Sequence, residues 1–102
     1  MAAGKSADSE EITGGVSMAK VVMYSTAFCP YCIMAERLLL SRGVTEIEKI
    51  RVDLEPAVRA EMMAKTGRRT VPQIYIGDTH VGGYDDLAKL DRKDGLARLL
   101  NS

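Results

Sequence analysis

The sequence has no tryptophan, one phenylalanine, one histidine and only two cysteines. Two cysteines and one histidine fall short of the four ligands of a structural zinc site, unless two chains share one. Neither sign of charge is in excess. Lys and Arg together number 14, as do Asp and Glu, so the net formal charge is zero. A nucleic-acid binder would need a basic surplus to recruit phosphate, so that class is excluded. No apolar run approaches the ~18–20 residues that span a bilayer, and the N-terminus lacks the apolar stretch of a secretory signal. These absences predict a cytoplasmic protein without nucleic-acid or membrane partners. In a reducing compartment, two close cysteines point to catalysis or metal binding rather than to a permanent staple.

What is present fits one domain. The chain has 102 residues, 46% hydrophobic and 27% charged, enough for a modest core. Residues 1–17, "MAAGKSADSEEITGGVS", are small and polar and carry no apolar periodicity. They are expected to form a disordered leader before a domain at residues 18–102, with Met18 an alternative start. Residues 20–25, "KVVMYS", predict a buried strand. From Pro30 to about Arg42 the pattern is helical, with Ile33, Met34, Leu38 and the following leucines as the inward face and Gly43 as the stop. "EKIRVDL" alternates, placing Ile50, Val52 and Leu54 in phase on a second strand. Pro56 suits the first turn of a second helix carrying Val58, Met62 and Met63 and ending at Gly67. "PQIYIGDTHVGG" predicts a hairpin, with Ile74 and Ile76 on one face, a turn at Gly77-Asp78 and Val81 returning. His80 is expected on its surface. The tail is helical, with Leu87, Leu90, Leu96 and Leu99 inward and a break near Gly95. The order β-α-β-α-β-β-α predicts an α/β fold with a small mixed sheet flanked by helices.

Cys29 and Cys32, the only cysteines, are two residues apart in "CPYC". Haem attachment would need a histidine directly after Cys32, where this chain has Ile33. A structural disulfide closing so short a loop would constrain little. Redox chemistry remains, and a Cys-x-x-Cys beside a strand–helix–strand pattern is its thioredoxin-like signature. Pro30 suits the first helical position, where its missing N–H costs nothing. Cys29, just ahead of it, meets the positive end of the helix, which favours a thiolate and can lower a cysteine pKa to roughly 3.5–7.5. Cys32, one turn inward, can attack a mixed disulfide on Cys29. Cys29 is therefore the candidate nucleophile and Cys32 the resolving cysteine.

Together, "CPYC", "TVP" at residues 70–72 and "GGYDD" at residues 82–86 resemble the dithiol glutaredoxins of the small bacterial type. The likeness runs from about Lys20 to the C-terminus. Thioredoxins carry a tryptophan before the first cysteine and monothiol glutaredoxins lack the second, so both fit less well. The resemblance implies a thioredoxin-like fold with a four-stranded mixed sheet. It further implies an enzyme that reduces protein–glutathione mixed disulfides and protein disulfides, with glutathione as co-substrate and no permanently bound cofactor or metal. A monomer is expected, poised near about −200 to −230 mV.

It also implies a glutathione site. Thr70, Val71 and Pro72 would form a cis-proline loop beside Cys29, the Val71 main chain pairing strand-like with the cysteinyl part. Gly83, Tyr84 and Asp85 would hold the γ-glutamyl end at a helix start, where free N–H groups suit a carboxylate. Asp85 or Asp86 is the expected N-cap. Tyr31 would flank the sulfur. Family members often carry a lysine where this chain has Thr26, and Arg59 is the expected substitute for the glycine carboxylate, with Arg68 or Arg69 as further cations. Two other roles fit the same residues: a carrier of a [2Fe–2S] cluster ligated by Cys29 and glutathione, which Pro30 disfavours, and an electron donor to ribonucleotide reductase.

Overall fold

A computed structural model describes residues 19–101. The expectations of a disordered leader at 1–17 and an alternative start at Met18 fall outside the described residues. The elements are β1 (Val21–Ser25), α1 (Pro30–Ser41), β2 (Glu48–Arg51), α2 (Pro56–Thr66), β3 (Gln73–Ile76), β4 (Thr79–Gly82), α3 (Tyr84–Arg92) and α4 (Gly95–Leu100). This is the order read from the sequence, with the helical tail split in two before Gly95.

The four strands form one mixed sheet in the order β2-β1-β3-β4. β1 runs parallel to β2 and antiparallel to β3, and β3 and β4 form an antiparallel hairpin. Strand alternation divides the side chains between two cores. Val21, Met23, Ile74 and Ile76 share a cluster with Ala35, Leu39, Leu87, Leu96 and Leu100, drawn from α1, α3 and α4. Tyr24 and Tyr75 point the other way and pack with Val52 and with Met62 of α2. The sheet is thus covered on both faces, which is why β1 and β3 carry apolar residues at almost every position.

Five apolar side chains depart from the expected pattern. Ile33, Met34 and Leu40 are exposed, and α1 instead buries Cys32, Ala35 and Leu39. These residues follow helical spacing, and seating Cys32 on the core turns its two successors outward. The β2 ladder ends at Arg51 and the chain turns at residues 52–53, so Leu54 is 68% exposed rather than in phase with Val52. On α2, Met62 is fully buried while Met63, a hundred degrees round the helix, reaches the surface.

Helix stops follow local chemistry. Gly67 ends α2 in the left-handed conformation at φ 72°, its N–H bonded to the Met63 carbonyl. The hairpin turn likewise places Gly77 at φ 60°. At the far end of α1, Arg42 makes a two-pronged contact with Asp91 of α3 at 2.7 and 2.8 Å, joining two helices of the larger core.

Candidate functional site

Cys29 is the N-cap of α1, in extended conformation, and Pro30 takes the first helical position. The Cys29 sulfur accepts the N–H of Cys32 at 3.1 Å. The two cysteines are joined as a disulfide with Cα atoms 5.1 Å apart. Both lie in the larger core cluster, 8% and 5% exposed, so Cys32 is only marginally the more enclosed. Once the bond is reduced, a Cys29 thiolate would keep the Cys32 N–H and the positive helix end as stabilising partners.

The segment leading into the helix is tied from β2. Arg51 grips Asp53 with two hydrogen bonds of 2.7 Å, and Asp53 accepts the N–H of Ala27, two residues before Cys29, at 3.3 Å. The Arg51 guanidinium holds the Asp53 carboxyl down to about 2. Phe28, between this anchor and Cys29, is 95% exposed. Beyond Cys29, the exposed Tyr31 meets the half-buried Tyr84 of α3, ring centroids 6.3 Å apart and tilted by 30°. That aromatic pair links the cysteine turn to the start of α3. The sequence reading placed both rings near the site without seeing that they touch.

Thr70, Val71 and Pro72 lie just before β3. The Val71–Pro72 peptide is cis, and Val71 packs against the cluster that contains both cysteines. Gln73, fully buried, braces the loop from below. Its amide nitrogen donates to the Thr70 carbonyl at 3.0 Å and approaches the Thr70 hydroxyl at 3.3 Å. Its oxygen lies 2.8 Å from Nε2 of His80. With the amide nitrogen committed to Thr70, the oxygen accepts and His80 carries its proton on Nε2. His80 also stacks on Tyr75 with centroids 5.0 Å apart. It is therefore a half-buried brace rather than the surface residue expected, and burial, followed by the nearby Arg68 charge, holds it below the usual imidazole range.

Gly83, Tyr84 and Asp85 sit where β4 passes into α3. The N-cap is Gly83, not Asp85 or Asp86. Asp86, at the third helical position, reaches back and accepts the Gly83 N–H at 2.9 Å. Asp85 is exposed in the first turn. Gly83 lies against the loop of the cis proline: a β-carbon on it would come 3.5 Å from the Pro72 carbonyl oxygen. The candidate binding segments, separate in sequence, are neighbours.

The candidate cations behave differently from one another. Arg59 donates to the carbonyl of Arg69 at 3.0 Å, tying α2 to the loop. Arg68 is engaged with Asp86 at 2.8 Å. Among the described residues Arg69 makes no ion pair, and Thr26 stands half-buried at the end of β1. A hollow of about 1130 Å³ between the end of α1 and β2, lined by Lys20, Glu36, Leu40, Val44 and Lys49 among others, contains none of the candidate residues. Among the described residues no group of histidines, cysteines and carboxylates is placed to hold a metal, and no helix is long and apolar enough to cross a membrane.

Comparison with known proteins gives consistent relatives. The family model described as Glutaredoxin matches residues 21–81. A glutaredoxin of Neisseria meningitidis is 55% identical over 84 residues, covering 82% of this chain and 99% of that protein. Glutaredoxin 3 of Escherichia coli is 47% identical over 83 residues, 81% and 99% of the two chains. Among solved structures, a buckwheat glutaredoxin in complex with glutathione superposes with a TM-score of 0.73 at 32% identity, over 80% of this chain and 76% of its own. The solution structure of a glutaredoxin from Brucella melitensis gives 0.73 at 43% identity, over 87% and 95%.

Proposed function

The chain belongs to the glutaredoxin family and is a thiol–disulfide oxidoreductase with a thioredoxin-like fold, and on that premise we propose that it uses glutathione to reduce protein–glutathione mixed disulfides and protein disulfides. The observation that carries the proposal is the adjacency of three segments. The cysteine turn at α1, the cis-proline loop and the start of α3 adjoin one another, the last two through Gly83 and Pro72.

In the reaction, the Cys29 thiolate attacks the glutathione sulfur of a mixed disulfide. The S–S bond breaks, the protein thiolate leaves and takes up a proton, and Cys29 is left joined to glutathione. A second glutathione thiolate attacks the bound glutathione sulfur, giving oxidised glutathione and restoring the Cys29 thiolate. In the dithiol route a protein disulfide is opened by Cys29. The Cys32 thiolate then attacks the Cys29 sulfur, releasing the reduced protein and closing the Cys29–Cys32 disulfide, which two glutathiones reopen. Glutathione is a co-substrate, and nothing in these steps needs a resident cofactor or a second subunit. The supply of reduced glutathione that they consume favours the cytoplasm.

Val71 offers its main chain to the cysteinyl part of glutathione, with Thr70 and Pro72 fixing that edge. Gly83, Tyr84 and Asp85 receive the γ-glutamyl end, its carboxylate at the helix start and its ammonium near Asp85. Tyr31 lines the groove over the sulfur. For the glycine carboxylate, Arg59 keeps donors beyond the one given to Arg69, and Arg69 lies beside it. The buckwheat complex supports this reading because that protein holds glutathione on the same fold.

The deciding experiment is a coupled assay on the mixed disulfide of glutathione and 2-mercaptoethanol, using wild type, Cys29→Ser and Cys32→Ser. Activity lost in the first variant and kept in the second is expected. A wild type that reacts with small thiols but never saturates with the glutathione substrate would overturn the proposal.

A further inference from the structure

Arg68 is one of the cations the sequence offers for a glutathione carboxylate, yet its guanidinium is already engaged. Nη1 donates to Asp86 Oδ2 at 2.8 Å, and the same oxygen accepts the Gly83 N–H at 2.9 Å. Asp86 therefore joins two parts of the molecule that have no continuous chain between them at this point. On one side is the loop that runs into the cis proline. On the other is the first turn of α3.

The loop is fixed along its own length by shorter ties. The Arg68 N–H bonds Thr66 Oγ1 at 3.0 Å, the Arg69 carbonyl accepts from Arg59, and the Thr70 carbonyl accepts from buried Gln73. These ties hold the loop to α2 and β3. Among the hydrogen bonds of the described residues, the Arg68 side chain is the tie that crosses to α3.

Gly82 explains how the pair fits. Its φ is 116°, and a β-carbon there would lie 2.9 Å from the Asp86 carboxyl carbon and 3.2 Å from Arg68 Nη1. The ion pair rests on the bare backbone of Gly82, next to Gly83, which in turn faces the Pro72 carbonyl. The Gly-Gly step is thus a seat for the pair as well as a turn. The interaction holds the Asp86 carboxyl below its ordinary range, Arg68 contributing first and the Gly83 N–H second.

We infer that Arg68 and Asp86 are positioning residues: a latch that sets the spacing between the Val71 edge and the Gly83–Asp85 helix start, and so the affinity of the site for glutathione without touching it. This inference rests on the glutathione reading above. The latch acts on substrate binding, while the Cys29 environment is built separately by α1 and by the Asp53 anchor. Because a site held in its binding shape loses less free energy to ordering when ligand enters, loosening the latch has a measurable effect on KM.

The test uses Asp86→Asn, which keeps an acceptor for the Gly83 N–H but removes the ion pair, together with Arg68→Met, the double variant and Arg68→Lys. KM for the glutathione mixed disulfide should rise about tenfold in each of the first two. kcat and the rate of Cys29 alkylation by iodoacetamide should stay within about twofold, and the double variant should be no worse than either single one. Arg68→Lys should recover most of the loss. A rise with Arg68→Met but none with Asp86→Asn would overturn the latch, since Arg68 would then be contacting glutathione directly. No change in either, or a parallel fall in kcat and alkylation, would overturn it too. If wild type itself never saturates with glutathione, the glutathione reading fails instead. The latch is then decided by amide exchange at Val71 and Gly83, which Asp86→Asn accelerates if the pair holds the segments and leaves unchanged if it does not.

Discussion

Gly83 lies beside the carbonyl of Pro72: a β-carbon on it would meet that oxygen at 3.5 Å, an ordinary van der Waals distance. That approach sets the loop before β3 against the start of α3 and makes neighbours of two motifs. Its neighbour Gly82 has the stricter requirement, because its φ of 116° lies where side chains other than glycine's are strained.

Gly82→Ala should therefore be costly on two counts. Strain at such a backbone position is of order 1–3 kcal/mol, and the new methyl group would displace the Asp86–Arg68 pair. Denaturant unfolding should show the loss, with KM for the glutathione substrate rising alongside it. Gly77→Asn, at φ 60° in the hairpin turn with nothing but Ala19 nearby at 3.8 Å among the described residues, should cost far less because asparagine tolerates the left-handed region. Equal destabilisation by both would show that backbone strain alone, not the seat for the ion pair, governs Gly82.

Burial separates two leucines that look alike in the sequence. Leu87 of α3 is fully buried in the larger core, and Leu54, after β2, is 68% exposed. Leu87→Ala should lower stability by about 2–5 kcal/mol, and Leu54→Ala should stay within roughly 0.5 kcal/mol. Chemical denaturation of the two variants checks both figures. A Leu54→Ala cost near that of Leu87→Ala would mean that Leu54 packs onto the protein in solution.

That contrast shows where sequence reasoning reached its limit. The element order was legible because strand alternation, Pro30 and Pro56 at helix starts, and Gly43, Gly67 and Gly77 at turns are all local signals. The candidate site was legible for the same reason, since its three motifs are each a few contiguous residues. Helix phase was not. In "CIMAERLLL" apolar residues occupy more than one face, and only the packing of Cys32 and Ala35 against the sheet selects which face is buried. The ties around the site were hidden too. Arg68 and Asp86 are 18 residues apart, Ala27 and Asp53 are 26 apart, and Gln73 and His80 meet across a hairpin. Each looks like an ordinary surface residue until the fold supplies its partner.

Gln73 is the strongest case among these hidden braces. Replacing it with leucine would keep the volume but strip the Thr70 carbonyl and the His80 Nε2–H of their partner. Thr70 is exposed and His80 half-buried, so each lost bond costs about 0.5–1.5 kcal/mol. Gln73→Leu is expected to lower the unfolding free energy by that order and to raise KM, because Thr70 heads the candidate binding loop. His80→Phe preserves the stack on Tyr75 but leaves the fully buried Gln73 oxygen without its partner, so its cost should be of the same order. Thermal unfolding with steady-state kinetics would test this, and a Gln73→Leu protein with unchanged KM would show that the loop holds its shape without the brace.

Acid titration addresses the anchor ahead of Cys29. Asp53 has its folded-state pKa depressed to about 2, chiefly by the hydrogen bonds from Arg51 and also by the Ala27 N–H. A carboxyl with a folded value below its unfolded one stabilises the fold fully above the unfolded value, about 3.9. That contribution is lost as pH falls through the folded value. The anchor should therefore hold at neutral pH and weaken only between about pH 4 and 2. Carboxyl-carbon NMR should place the Asp53 midpoint near 2, and Arg51→Met should return it toward the ordinary carboxylate range. Asp53→Asn keeps an acceptor for Ala27 but loses the two-pronged grip, so the Ala27 amide should exchange faster. An Asp53 midpoint near 4 in the wild type would mean that Arg51 does not hold the carboxylate in solution, leaving the Ala27 N–H as the tie on Asp53.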